Sequence, residues 1–123
     1  AIQTPDDVSQ IRKHMAEHEC LAHTRRICLD IVAKHPKSPV AAKALYRAAC
    51  SARRLADFNY WWRSHNKQGD SWTEAIELMR RVAKEYPDDP LAPLGTKFAK
   101  VFEEEKREYG GDYGQSFGWE LPD

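Results

Sequence analysis

The chain has 123 residues, with 19 Lys and Arg against 19 Asp and Glu, so its formal net charge is zero. Apolar residues make up 41% and charged residues 31%, which fits one water-soluble folded domain and excludes a disordered chain. No apolar run approaches the roughly 18 to 20 residues that span a bilayer, and three cysteines are too few for a disulfide miniprotein. Signal-peptide character is absent. A chain that opens on Ala1 reads as a processed product or a cut fragment.

Helix signals follow one another along the chain, and strand signals are nearly absent. Thr4-Pro5-Asp6-Asp7 is a helix start: Thr4 caps free backbone N–H groups, Pro5 suits the first helical position, and the acids meet the positive dipole end. Ser38-Pro39 and Asp89-Pro90 repeat that pattern, and Ser71 with Glu74 forms a capping box. His35-Pro36 and Tyr86-Pro87 are stops, because a residue before proline is pushed out of the helical region. The predicted helices are 5–35, either continuous or broken near His18, then 39–64, 71–86 and 90–109, with a Gly- and aromatic-containing tail over 110–123. The predicted class is all-α, a helix-turn-helix array.

The apolar stripes agree. Leu21, Thr24, Cys28 and Ile31 share a face in the first segment, and Trp72, Ala75, Met79 and Val82 do so in the third. The second segment is apolar on two faces, one through Ala41, Leu45, Ala48, Ala52, Leu55 and Trp62, the other through Tyr46, Cys50 and Trp61. A helix of that kind is sandwiched between neighbours. The cysteines, odd in number, read as three small buried apolar residues, with a Cys20–Cys50 bridge as the alternative.

Charge is divided along the chain. Residues 1–69 carry 12 − 6 = +6 and residues 70–123 carry 7 − 13 = −6. The division suits attraction between two halves of one fold; head-to-tail association and a basic face to nucleic acid are the other uses.

Shifting the chain by 51 residues superposes the two stripes. Leu21 meets Trp72, Thr24 meets Ala75, Ile27 meets Leu78, Cys28 meets Met79 and Ile31 meets Val82. His35, Pro36, Pro39 and Ala41 then meet Tyr86, Pro87, Pro90 and Ala92 without a gap. Two helix–turn–helix units explain this economically. After Pro93 the second copy departs, with Gly95, Thr96 and Lys97 at the positions of Ala44, Leu45 and Tyr46.

A helix of small and apolar residues, then Tyr86-Pro87-Asp88-Asp89-Pro90, then a helix opening on Ala92, resembles the tetratricopeptide repeats of bacterial cell-envelope proteins, such as the Tol-Pal accessory protein and the Bam assembly lipoprotein. The resemblance covers about residues 20–49 and 71–101. The period departs from the usual 34 residues of that repeat. The resemblance implies a TPR-like domain over 1–109, with units of about 18–64 and 71–109, acting as a scaffold without catalysis in the periplasm or cell envelope; the cytoplasm is the alternative. Two units are few, so the open ends need cover from 1–17, from the tail 110–123, or from a second copy.

Motifs for chemistry are sparse. His14-Met15-Ala16-Glu17-His18 matches the inverted zinc-peptidase pattern, and on a helix its two histidines share a face. No third ligand is set by spacing, so the stretch reads as a solvated helix face, and no catalytic residue, metal or cofactor is assigned. Phosphate loops and nucleophile elbows are missing. The segment Phe58-Asn59-Tyr60-Trp61-Trp62-Arg63, preceded by Arg47, Arg53 and Arg54, has the Trp, Tyr and Arg of an interface hot spot. The expected function is therefore a non-catalytic protein–protein interaction scaffold within a larger assembly. Its partner surface is Arg47, Arg54, Tyr60, Trp61 and Arg63 with the groove side of Leu21–Ile31. The rival is a nucleic-acid-binding helical domain that uses the basic, aromatic 47–63 segment. The tail, with Tyr113, Phe117 and Trp119, is expected to dock on this chain or on a second copy.

Overall fold

A computed structural model describes residues 5–62 and 71–109. Four helices occupy them: α1 (Pro5–Lys34), α2 (Ala41–Trp62), α3 (Ser71–Glu85) and α4 (Ala92–Tyr109). Among the described residues there is no strand. Of the two readings of the first segment, the continuous helix is the one found. No proline or glycine interrupts the chain between Pro5 and Pro36, so nothing removes a backbone bond or clashes with the preceding turn. No helix among the described residues is long and apolar enough to cross a membrane.

The two interhelical turns match bond for bond. In the first, the amides of His35, Ser38, Ala41 and Ala44 bond to the carbonyls of Ile31, His35, Ser38 and Val40. In the second, those of Tyr86, Asp89, Ala92 and Gly95 bond to Val82, Tyr86, Asp89 and Leu91. Every donor and every acceptor differs by 51 (86 − 35 = 51, 82 − 31 = 51). The caps correspond as well. Ser38 Oγ accepts from the Val40 amide, and Asp89 Oδ1 accepts from the Leu91 amide. Polar side chains before Pro39 and Pro90 thus close both turns, as the prolines predicted.

Each helix packs on the one before it: α1 on α2, α2 on α3, α3 on α4. The core runs through the stack. It takes Cys28 and Val32 from α1, then Leu45, Tyr46, Ala48, Ala49 and Ala52 from α2. Trp72, Ala75, Leu78, Met79 and Val82 come from α3, and Phe98, Ala99 and Phe102 from α4. The sandwiched middle helix is confirmed, with Leu45 and Tyr46 on different sides of α2 both fully buried. Each large apolar side chain removed from water here contributes about 2 kcal/mol.

Gly95 has a positional reason. A Cβ there would lie 2.6 Å from the Met79 carbonyl oxygen and 3.1 Å from the Val82 Cβ. What reads in the sequence as decay of the repeat is a close approach of α4 to α3. The cysteines are all free; Cys28 is buried, Cys50 half-buried and Cys20 exposed, so burial holds for one of the three. Burial pushes the Cys28 thiol above its ordinary pKa, against the opposing pull of Arg47. Burial likewise raises the Tyr46 phenol, and Cys50 adds to the effect.

Candidate interaction faces

Among the described residues, polar side chains tie one unit to the other. The Tyr86 hydroxyl donates to the Pro36 carbonyl at 2.8 Å, joining turn to turn. Arg25 on α1 donates to Glu74 on α3 at 2.9 Å. Arg53 on α2 reaches Glu105 on α4 at 3.1 Å. The two ion pairs cross from the positive half of the sequence to the negative half, so part of the charge division serves internal attraction.

The Arg53–Glu105 pair is the least expected of these. Arg53 is 1% exposed, and its guanidinium lies 4.2 Å from the Trp72 ring centroid and 5.7 Å from that of Phe102. The Trp72 indole N–H donates to the Phe102 carbonyl at 2.9 Å, and Lys106 bonds to Thr73 beside it. A buried guanidinium needs such company, since an uncompensated buried charge is costly. The consequence for the nucleic-acid reading is direct: Arg53, in the middle of the basic segment, faces the core and not solvent.

The 51-residue correspondence also locates an uncovered face. In the second unit Ala75, Leu78, Val82, Tyr86, Leu91, Phe98 and Glu105 are all buried or half-buried, and Tyr86 and Glu105 bond to the first unit. Their counterparts in the first unit are Thr24, Ile27, Ile31, His35, Val40, Arg47 and Arg54. These are half-buried or exposed, and none is buried. Ile27 is 44% exposed where Leu78 is 5% exposed, and Val40 is 54% exposed where Leu91 packs on the core. One end of the stack therefore presents the packing face of a helical hairpin, with two arginines along one edge.

The opposite end is different. Between α3 and α4 a groove of about 440 Å³ is lined by Arg80, Ala83, Lys84, Thr96, Ala99, Lys100 and Glu103. On the α4 side, Thr96, Lys100 and Glu103 correspond to Leu45, Ala49 and Ala52 of α2. Those three α2 residues are fully buried, and Ala56, opposite exposed Arg107, is 4% exposed.

The residues chosen from sequence divide accordingly. Arg47 and Arg54 stand on the uncovered end, seven residues apart and so on one helical stripe. Tyr60 and Trp61 continue α2, but their side chains, like all of Arg63, lie outside the described residues. Of the groove side of Leu21–Ile31, Ile27 is the most open large residue. His35 and Val40 were missed. Comparing equivalent positions would have shown Tyr86 and Leu91 weakening to His35 and Val40. The side chain of His14 lies outside the described residues, and among those described no three His, Cys, Asp or Glu gather as metal ligands. Comparison of the chain with protein-family models, with curated proteins and with solved structures returns no match.

Proposed function

We propose that this chain is a non-catalytic, TPR-like protein-interaction module of a larger assembly, in keeping with a place in the cell envelope. Its uncovered end takes a helix from a protein partner. The observation that carries this reading is the exposure of Ile27 and Val40 at positions whose counterparts, Leu78 and Leu91, pack in or against the core. The occupant is defined by the internal example. α3 packs on α2, whose buried stripe Leu45, Ala49, Ala52 and Ala56 is of small and apolar side chains. The partner helix needs a similar stripe, and an acid near Arg54, where the second unit carries Glu105. Helix-in-groove recognition works by such spaced anchors.

The same face argues against head-to-tail stacking of this chain on itself. Arg47 and Arg54 at one end would meet Arg80, Lys84 and Lys100 at the other, and like charges at an interface disfavour the pairing.

The test is affinity capture by the full chain with nuclease present, repeated with Ile27→Glu and Arg54→Glu. A protein recovered despite nuclease, and lost at least tenfold by both variants with helical circular dichroism unchanged, supports the proposal. Recovery that depends on nucleic acid, or that survives both substitutions, overturns it.

A further inference from the structure

We infer that the α3/α4 groove is a second interaction site, and that it takes a short acidic segment of a protein partner with carboxylates at alternate positions. The repeat supplies the first argument. Every residue that lines the groove has an apolar counterpart 51 positions earlier. Leu29 and Ala33 stand at the positions of Arg80 and Lys84, and Leu45, Ala49 and Ala52 at those of Thr96, Lys100 and Glu103. The end of a stack needs polar side chains, but of no particular sign. Here the sign is one-sided. Arg80, Lys84 and Lys100 are basic, and Glu103 is the acid among the lining residues.

The surroundings supply the second argument. Over 70–123 the chain has thirteen Asp and Glu against seven Lys and Arg, yet three of those seven bases line this groove. Arg80 is bonded to Glu103, which leaves Lys84 and Lys100 as the net positive charge. Exposed Glu77, Glu85 and Glu104 flank the basic residues on the same two helices. A nucleic acid carries its charge continuously, so it would bring phosphates against these acids. A peptide confines its charge to the places that match, and complementary charge is what selects such a partner.

Spacing is the third. Arg80 and Lys84 are four residues apart on α3, as Thr96 and Lys100 are on α4. Four residues advance about 6 Å along a helix. Alternate side chains of an extended segment project from one face about 7 Å apart. Two acids so placed meet the groove's two uncompensated cations, and the Thr96 hydroxyl offers a hydrogen bond beside them.

Titration of the ¹⁵N-labelled full chain with the peptide acetyl-Ala-Asp-Ala-Asp-Ala-amide, followed by amide correlation spectra, tests the inference. The expected result is a set of saturable shifts centred on Arg80, Lys84, Thr96 and Lys100. Substituting both lysines, Lys84→Ala with Lys100→Ala, should weaken binding about fivefold, as the loss of two exposed ion pairs implies, with helical circular dichroism unchanged. Equal shifts from the same peptide with asparagine for aspartate would overturn the inference, as would shifts centred on Arg47 and Arg54 or none at all. Tighter binding of a short oligothymidylate at these residues would overturn it in favour of nucleic acid. Groove shifts that follow chain concentration without peptide would overturn it in favour of a second copy. The outcome is separate from the helix proposed for the Ile27 and Val40 end, since the two sites share no residue.

Discussion

The two hairpins share one turn and differ in what their second helices meet. α2 lies between α1 and α3, so it is apolar on both sides, and small residues let the layers approach. Among the described residues α4 packs chiefly on α3, and Thr96, Lys100, Glu103 and Arg107 stand where α2 has small or apolar residues. The turn survives unchanged because its bonds are local: four backbone bonds, a polar cap and two prolines close it whatever lies outside. The helix faces diverge because they answer to neighbours. Divergence between the copies is therefore information about position in the stack.

The widest test of this contrast compares Leu78 with Ile27. They occupy equivalent positions, and only Leu78 is covered. Leu78→Ala should cost about 3 kcal/mol, the range for a buried leucine that leaves a cavity. Ile27→Ala should cost under about 1 kcal/mol, since little surface leaves contact. Urea denaturation of both variants measures the difference. Equal losses would show that Ile27 is covered after all, and would remove the uncovered face.

Smaller effects are expected at Ala44 and Gly95, again an equivalent pair. Gly95→Ala gains helix propensity but drives a methyl against the Met79 carbonyl, so a net loss of about 1–3 kcal/mol is expected. Ala44→Gly should lose about 1 kcal/mol through backbone entropy. If Gly95→Ala stabilises the chain, α4 lies further from α3 and Gly95 is repeat decay after all. Thermal unfolding of the two variants distinguishes the cases.

Much of the fold could be read from the residues because its signals are local. Caps and prolines placed all four helices, and aligning the prolines exposed the repeat. The residues leave open whether the first helix breaks near His18, and it runs on because no proline or glycine interrupts it. Arg53 was out of reach of a local reading. In sequence it is one arginine among several, and its burial depends on Glu105 and Trp72, brought there by packing. The candidate site was half legible. Arg47 and Arg54 followed from residue type, whereas the openness of Ile27, His35 and Val40 follows only from what their counterparts touch.

The smallest expected effect concerns the turn that both units share. Arg81 and Glu85 pair one helical turn apart at the end of α3, and the first unit places Asp30 and Lys34 in the same four-residue spacing with the charges reversed. The Arg81 hydrogen bond, helped by its charge, holds the Glu85 carboxyl below its ordinary pKa, and the pair raises that of Arg81. A depressed carboxylate pKa stabilises the fold above the ordinary value. That stability is lost as pH falls through the lower, folded value. Exposed pairs of this kind contribute about 0.3–0.5 kcal/mol. Glu85→Gln should therefore lower stability by a few tenths of a kcal/mol near neutral pH, and the gap to the parent chain should close on acidification below the carboxylate range. The order Asp30 then Lys34 suits the helix dipole better than Arg81 then Glu85. Asp30→Asn should thus cost at least as much as Glu85→Gln. Denaturation of both variants across pH decides it, and a larger loss at Glu85 would mean that its carboxylate supports the second turn in a way the first turn does without.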